Sequence, residues 1–173
     1  MRLRFRIWII FLAALLRRKN LRITEDAKIT LTVMPWDCVL RYVGNDRYHA
    51  FLDLARMDLA IRLGWLKIML PNRWHPQVIS CHVRHRHPLH IFDRFVICTY
   101  IAEINSKHIW MGHRIERNGV VVSTAVSKMV AVSQTGIADL LELLQLLSGN
   151  HHKSFNRERL IVFEQVESIL RGI

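Results

Sequence analysis

Apolar and polar residues alternate from Lys28 to Val33, where KITLTV is rich in β-branched side chains. A period of two predicts a strand, which Pro35 ends. The period then changes. Tyr48, Phe51, Leu52, Ala55, Leu59 and Leu63 recur at helical spacing, so one long amphipathic helix is predicted within the run from Arg47 to Leu66. Asp53, Arg56, Asp58 and Arg62 fall largely away from the apolar stripe, and Gly64 supplies a stop. KIMLPNRWHPQ reads as a loop, or as a short helix broken by Pro71 and Pro76. Period-two patterning returns in Val78 to Arg86, Arg94 to Ile104, His108 to Arg117 and Val120 to Val132. Asn105-Ser106 makes one turn, and Asn118-Gly119 signals a type I′ hairpin. Beyond Gly136, leucines from Leu140 to Leu147 and a stripe of Leu160, Phe163, Val166 and Leu170 predict two further helices around Ser148-Gly149-Asn150.

This order predicts an α+β fold, with an antiparallel meander wrapped around one long helix so that each buries its apolar face against the other. Three segments follow: a basic, apolar N-terminal helix over 1–23, the sheet-and-helix domain over 24–134, and a helical extension over 135–173. A chain of 173 residues suits a single domain with a substantial core, and 51% hydrophobic content excludes a disordered chain. No internal repeat interrupts it.

The charge balance of 25 basic against 14 acidic residues points toward anionic partners such as phosphates, nucleic acid or a lipid surface. Much of the excess sits at one end. Arg2, Arg4 and Arg6 precede the apolar run Ile7 to Leu16, and Arg17, Arg18, Lys19 and Arg22 follow it, with no acid before Glu25. That run is well short of the roughly 20 residues that span a bilayer, and RRKN offers no signal-peptide cleavage site. An interfacial helix on anionic head groups and a helix packed on the domain or a partner both fit this pattern. The remainder is only modestly basic and carries no helix-turn-helix or RNP-like motif, which argues against nucleic acid. Cys38, Cys81 and Cys98 are odd in number and lack CxxC spacing, so a reducing compartment is the default.

The candidate chemistry lies in DCVLRYVGNDRY, Asp37 to Tyr48, between the first strand and the helix. VMPWDC, NDRYHAFLDLARMDLAIRLG, VRHRHPLHIFDRF and GHRIERNGVVVSTAVSKMV together resemble the acyl-CoA thioesterases related to 4-hydroxybenzoyl-CoA thioesterase. Within that family the likeness is to the thioesterase-like branch with a short hydrophobic N-terminal segment, and it covers about Lys28 to Val132. It implies a hotdog fold and a homodimer or dimer of dimers. The cysteine usage points to the cytoplasm, with 1–23 as the candidate peripheral contact to an anionic membrane surface. The resemblance also implies an acyl-CoA or acyl-carrier thioester substrate held at the subunit interface. No cofactor is implied beyond the CoA moiety of the substrate.

In the family the loop reads D-x-D, then a few residues, then H-M-N-N-x-R-Y. The second Asp is the acid, and the helix N-terminus receives the thioester carbonyl through its free N–H groups. Here Asp37 matches the first Asp, but the second falls on Val39 and the loop is one residue shorter. Tyr42 and Val43 replace the family's His and Met, whereas Asn45, Arg47 and Tyr48 match. The resemblance therefore implies Asp37 as candidate acid, Asn45 as a positioning group, and Gly44, Asp46, Arg47 and Tyr48 as substrate-side residues. It also implies Arg84, Arg86 and Arg94 as candidates for the CoA phosphates. Val39 cannot move a proton. Three readings stand: a relocated acid, Asp37 or Asp46; a binding module that has lost the reaction; or a changed substrate. Asp37 is equally read as a structural group accepting loop N–H bonds.

His82, His85, His87 and His90 crowd CHVRHRHPLH, but histidines two apart on a strand specify no metal site, and none is expected. No G-x-S-x-G elbow and no glycine-rich phosphate loop are present. Trp36, Trp65, Trp74 and Trp110 are expected in the core or as walls of an acyl pocket.

Overall fold

The computed structural model describes residues 21–140. The helices expected before residue 20 and after residue 140 lie outside the described residues, and residues 21–26 form an irregular turn. Strand β1 spans Ala27–Thr32. A 3-10 turn, Pro35–Asp37, leads into a two-residue hairpin of β2 (Cys38–Val39) and β3 (Tyr42–Val43). Helix α1 follows over Asn45–Arg62 and a short α2 over Leu66–Met69. Four long strands complete the domain: β4 His75–His85, β5 Arg94–Ile104, β6 Ile109–Arg117 and β7 Val120–Ser133. Gly136–Ile137, β8, pairs briefly with β7.

Helix α1 ends where the sequence says it must. Gly64 adopts φ 77°, a left-handed backbone that glycine enters without strain. Asp46 in the first turn and Arg62 in the last complement the helix dipole. The Asn118-Gly119 turn has φ 51° and 78°, the two positive angles of a type I′ hairpin.

The sheet is antiparallel in the order β1-β5-β6-β7-β4. Only β5, β6 and β7 form a meander, which differs from the four-strand meander expected. β1 pairs with β5 from Ala27↔Thr99 to Thr32↔Arg94, so that edge is taken, and β4 crosses to the far edge beside β7. Bulges at Val78/Ser80, Ile101/Glu103 and Ile115/Glu116 bend the strands, which helps the sheet curl around α1. This is the hotdog arrangement.

Tyr48, Phe51, Leu52, Ala55 and Leu59 are buried as the stripe predicts, but Arg56 and Asp58 are buried too. They tolerate it because both have partners. Arg56 Nη1 donates to Ser127 Oγ at 2.7 Å, and Asp58 pairs with Arg62 at 3.3 Å. Arg56 marks a polar layer that divides the core. On one side, Tyr48, Phe51 and Leu52 pack with Phe95, Ile97, Ile115 and Ala125. On the other, Leu59, Trp65 and Met69 pack with Ile101, Met111 and Met129. Thr99, His113 and Ser127 occupy the sheet positions between the two clusters. His113 reaches Thr99 Oγ1 at 3.0 Å and Ser127 Oγ at 3.2 Å.

On the opposite face of the sheet the Tyr100 ring lies over Gly112, where a Cβ would come within 2.2 Å of it. Trp110 is buried there under Lys128, whose Nζ stands 4.7 Å from the ring centroid. Trp65 is also buried, Trp74 half-buried, and Trp36 is exposed.

Candidate functional site around the start of the long helix

The loop that precedes α1 is fixed by backbone bonds. Gly44 N–H donates to the Asp37 carbonyl at 3.1 Å, and Val43 N–H to the Leu89 carbonyl at 3.0 Å. The Gly44 carbonyl then accepts from Arg47 N–H at 2.9 Å. Asn45 and Asp46, the first two residues of the helix, have no intrahelical carbonyl within reach, and among the described residues no other backbone carbonyl accepts their N–H groups. Two aligned free donors at the positive end of a helix suit an oxygen that gains negative charge.

The sequence-derived residues divide around this point. Asp37 is 3% exposed, and its Oδ2 accepts Met34 N–H at 2.9 Å across the 3-10 turn. Val39 is 67% exposed, and its Cγ2 would lie 3.1 Å from a Cβ on Gly44. Asp46 Oδ1 would lie 2.7 Å from the same Cβ, so the Val39 and Asp46 side chains converge above Gly44. Asp46 is well exposed, and Arg47 Nε holds its Oδ2 at 3.2 Å, leaving Oδ1 toward Gly44. Asn45 is exposed beside it.

Tyr48 turns inward. Its hydroxyl accepts Leu89 N–H at 3.3 Å, tying the first turn of the helix to the loop after β4, and burial pushes its pKa up. The Tyr48 ring lies 4.2 Å from the His85 ring, and His85 Nδ1 meets Ser123 Oγ at 2.8 Å. Partial desolvation, with His49 nearby, lowers the His85 pKa. Sequence reasoning weighed His85 only as a metal ligand. His85 and Ser123 are opposite each other in the β4–β7 register, a pairing that period-two patterning does not supply. The Cys38 thiol is raised by burial and by Asp37, which keeps it protonated and a poor nucleophile.

Arg84 and Arg86 lie together at the end of β4, both exposed. Arg94 opens β5, with β6 and β7 intervening in the sheet. Among the described residues no cluster of His, Cys, Asp or Glu could hold a metal ion. Among them, too, no helix is long and apolar enough to cross a membrane.

Solved structures share this architecture. The probable thioesterase YbaW from Escherichia coli aligns with a TM-score of 0.63 at 23% identity, over 69% of this chain and 93% of its own. An Asp-to-Asn mutant of 4-hydroxybenzoyl-CoA thioesterase, complexed with 4-hydroxybenzoyl-CoA, aligns at 0.64 and 20% identity, over 71% and 99%. A Staphylococcus aureus protein in complex with CoA aligns at 0.63 and 16% identity, over 83% and 96%. At such identities the likeness establishes the fold alone. No curated protein matches the chain. The model of the thioesterase-like superfamily matches residues 19–145, most of the chain and all of the site just described. By that match and by its fold, the chain belongs to the thioesterase-like superfamily.

Proposed function

We propose that the protein hydrolyses an acyl thioester of CoA or of an acyl carrier, and that Asp46 supplies the carboxylate. One observation carries this reading: the Asp46 and Val39 side chains converge above Gly44. Position 39 is where the family resemblance puts the acid, so Asp46 brings a carboxylate to that place from the helix itself. Asp37 is buried and bonded to Met34 N–H, which suits a structural role.

In this reading the thioester carbonyl oxygen faces the Asn45 and Asp46 N–H groups. Asp46 takes a proton from water as the water oxygen attacks the carbonyl carbon. The negative charge that develops on the carbonyl oxygen is stabilised by the two donors. Collapse of the tetrahedral intermediate breaks the carbon–sulfur bond, and the proton returns to the departing thiolate. A second copy of the chain completes the pocket, and the CoA phosphates lie on exposed arginines such as Arg84 and Arg86.

Thiol release from a panel of acyl-CoAs, short, long and aromatic, tests the proposal. Asp46→Asn is expected to lower turnover by about 10²–10⁴-fold, with folding unchanged. Wild-type turnover in that variant defeats the assignment. A second reading rests on the exposed, apolar Val39, which leaves the usual acid position without a proton acceptor. It predicts saturable acyl-CoA binding with no thiol release from the wild-type protein.

A further inference from the structure

Helix α1 begins without the usual hold. Its N-cap is Gly44, which has no side chain to accept an N–H of the first turn. The first bond of α type, from Tyr48 N–H to the Gly44 carbonyl, is long at 3.4 Å. A start left open in this way keeps the Asn45 and Asp46 N–H groups available, but it also lets the first turn fray. The direction in which those donors point must be fixed from outside the helix.

The anchor comes from the sheet, through Tyr48. This side chain is buried, and its hydroxyl accepts Leu89 N–H at 3.3 Å. Burial raises the Tyr48 pKa, and the Leu89 N–H and the Ser123 hydroxyl, both directed at its oxygen, work against that rise. Ser123 is fully buried, and its Oγ lies 2.8 Å from His85 Nδ1. The His85 ring in turn lies 4.2 Å from the Tyr48 ring, and Phe51 stands edge-to-face with Tyr48 at 6.5 Å. Tyr48 is therefore held both by its hydroxyl and by its ring.

Packing alone does not call for this pair of polar residues. Cys81, Val83 and His85 alternate along β4 opposite Ser127, Ala125 and Ser123 of β7, and Cys81, Val83 and Ala125 pack in the core. A buried serine hydroxyl costs stability unless it is bonded, and His85 supplies the bond. His85 also stands on fixed backbone. Just beyond it, the Arg86 and His87 N–H groups both donate to the Val122 carbonyl, at 2.8 and 3.1 Å.

We propose that His85 is a positioning residue for the site at the start of α1: through Ser123 and the ring of Tyr48 it fixes the first turn of the helix, and with it the aim of the Asn45 and Asp46 N–H groups. This role rests on the proposed hydrolysis, in which those two donors receive the thioester carbonyl oxygen. His85 touches no reacting atom. Its effect is on the transition state, where the charge on that oxygen is greatest and donor placement counts most.

The test compares His85→Ala, which removes the ring and the hydrogen bond, with His85→Asn, whose amide sits near the place of Nδ1 and can still meet Ser123 Oγ. Thermal melts check that both fold. His85→Leu, which still covers Tyr48 but cannot bond Ser123, replaces the alanine variant if that one does not fold. On the acyl-CoA that the wild type turns over fastest, His85→Ala is expected to lower kcat about 10- to 100-fold with KM within about twofold of wild type, and His85→Asn to recover most of the loss. The amide NMR resonances of Asn45 and Asp46 are expected to shift in His85→Ala and to return toward their wild-type positions in His85→Asn. Neither variant has an imidazole, so that return reports the anchor and not a lost ring current. If the wild type releases no thiol from any acyl-CoA, the hydrolysis reading fails, and the amide resonances alone decide whether His85 sets the helix start. Three results overturn the role of His85. One is an unchanged kcat per folded molecule in His85→Ala when the wild type is active. Another is unmoved Asn45 and Asp46 resonances in that variant. The third is an asparagine variant no closer to wild type than the alanine variant.

Discussion

The start of helix α1 and its middle present opposite versions of the same materials. At the start, backbone donors are unpaired, a carboxylate is free on one oxygen, and an apolar residue faces solvent. In the middle, Arg56, Ser127, His113 and Thr99 form a bonded chain between helix and sheet. On paper the middle has the better chemical inventory, with a histidine, a serine and an arginine in line. Burial makes it inert. Desolvation, assisted by the Arg56 charge, lowers the His113 pKa to about 3, so the ring is neutral and both of its nitrogens are engaged. Polar groups in this core specify how helix and sheet meet, whereas reactivity belongs where bonds are left unmade.

The sharpest way to break this contrast is to exchange the two acids near the helix start. Asp46→Asn is expected to reduce thiol release by about 100-fold or more at an unchanged melting temperature. Asp37→Asn is expected to cost about 1 kcal/mol of stability, a weakened hydrogen bond, with turnover per folded molecule retained. The reverse pattern would assign the chemistry to Asp37. Thiol-release assays paired with thermal melts distinguish the two.

The middle of the helix is expected to show itself in acid. His113 binds a proton in the unfolded chain below its ordinary pKa of 6.5 but in the folded chain only near 3. Between those values the unfolded state holds the extra proton, so stability falls as pH falls, by about 1.4 kcal/mol per unit. Lowering the pH from 7 to 5 is then expected to cost about 2 kcal/mol through this residue. His85, lowered in the same direction, adds to the loss. Urea unfolding at the two pH values measures it. His113→Leu is expected to destabilise the protein at pH 7 by about 1–3 kcal/mol, because Thr99 and Ser127 lose a partner. The same variant is expected to flatten the acid slope, and an unchanged slope would remove His113 from the account.

The smallest effect on stability is expected from Val39→Asp. A carboxylate beside an exposed helix N-terminus stabilises by about 0.3–1 kcal/mol. On the proposed reading it also places a second acid beside Asp46, and thiol release is expected to change, whereas at a purely structural turn it would not. Denaturant midpoints and turnover, measured together, separate the two consequences.

Much of the frame was legible in the residues. Arg94 to Ile104 is a strand as read, the Asn118-Gly119 hairpin has the turn geometry its residues demand, and Gly64 ends the helix. The site was legible only as a place. The VGND segment marks the helix start, but nothing in the order of residues says that Asp37 turns inward to Met34 while Asp46 leans over Gly44 beside Val39. The polar layer had a signal that went unread. Thr99, His113 and Ser127 share the strand parity of their apolar neighbours Ile97, Met111 and Ala125.

What the sequence alone determined was local: the periods of two and of 3.6, and the turns where glycine or asparagine relieves the backbone. These follow from sterics and side-chain placement within a few residues. Tertiary structure decided which edge β4 would take, that Arg56 would be buried, and which carboxylate would reach the helix start. Those outcomes depend on hydrogen-bond registers and burial between segments far apart in the chain. Arg56 and Ser127 meet across 71 positions, and their contact exists only once the sheet has closed over the helix.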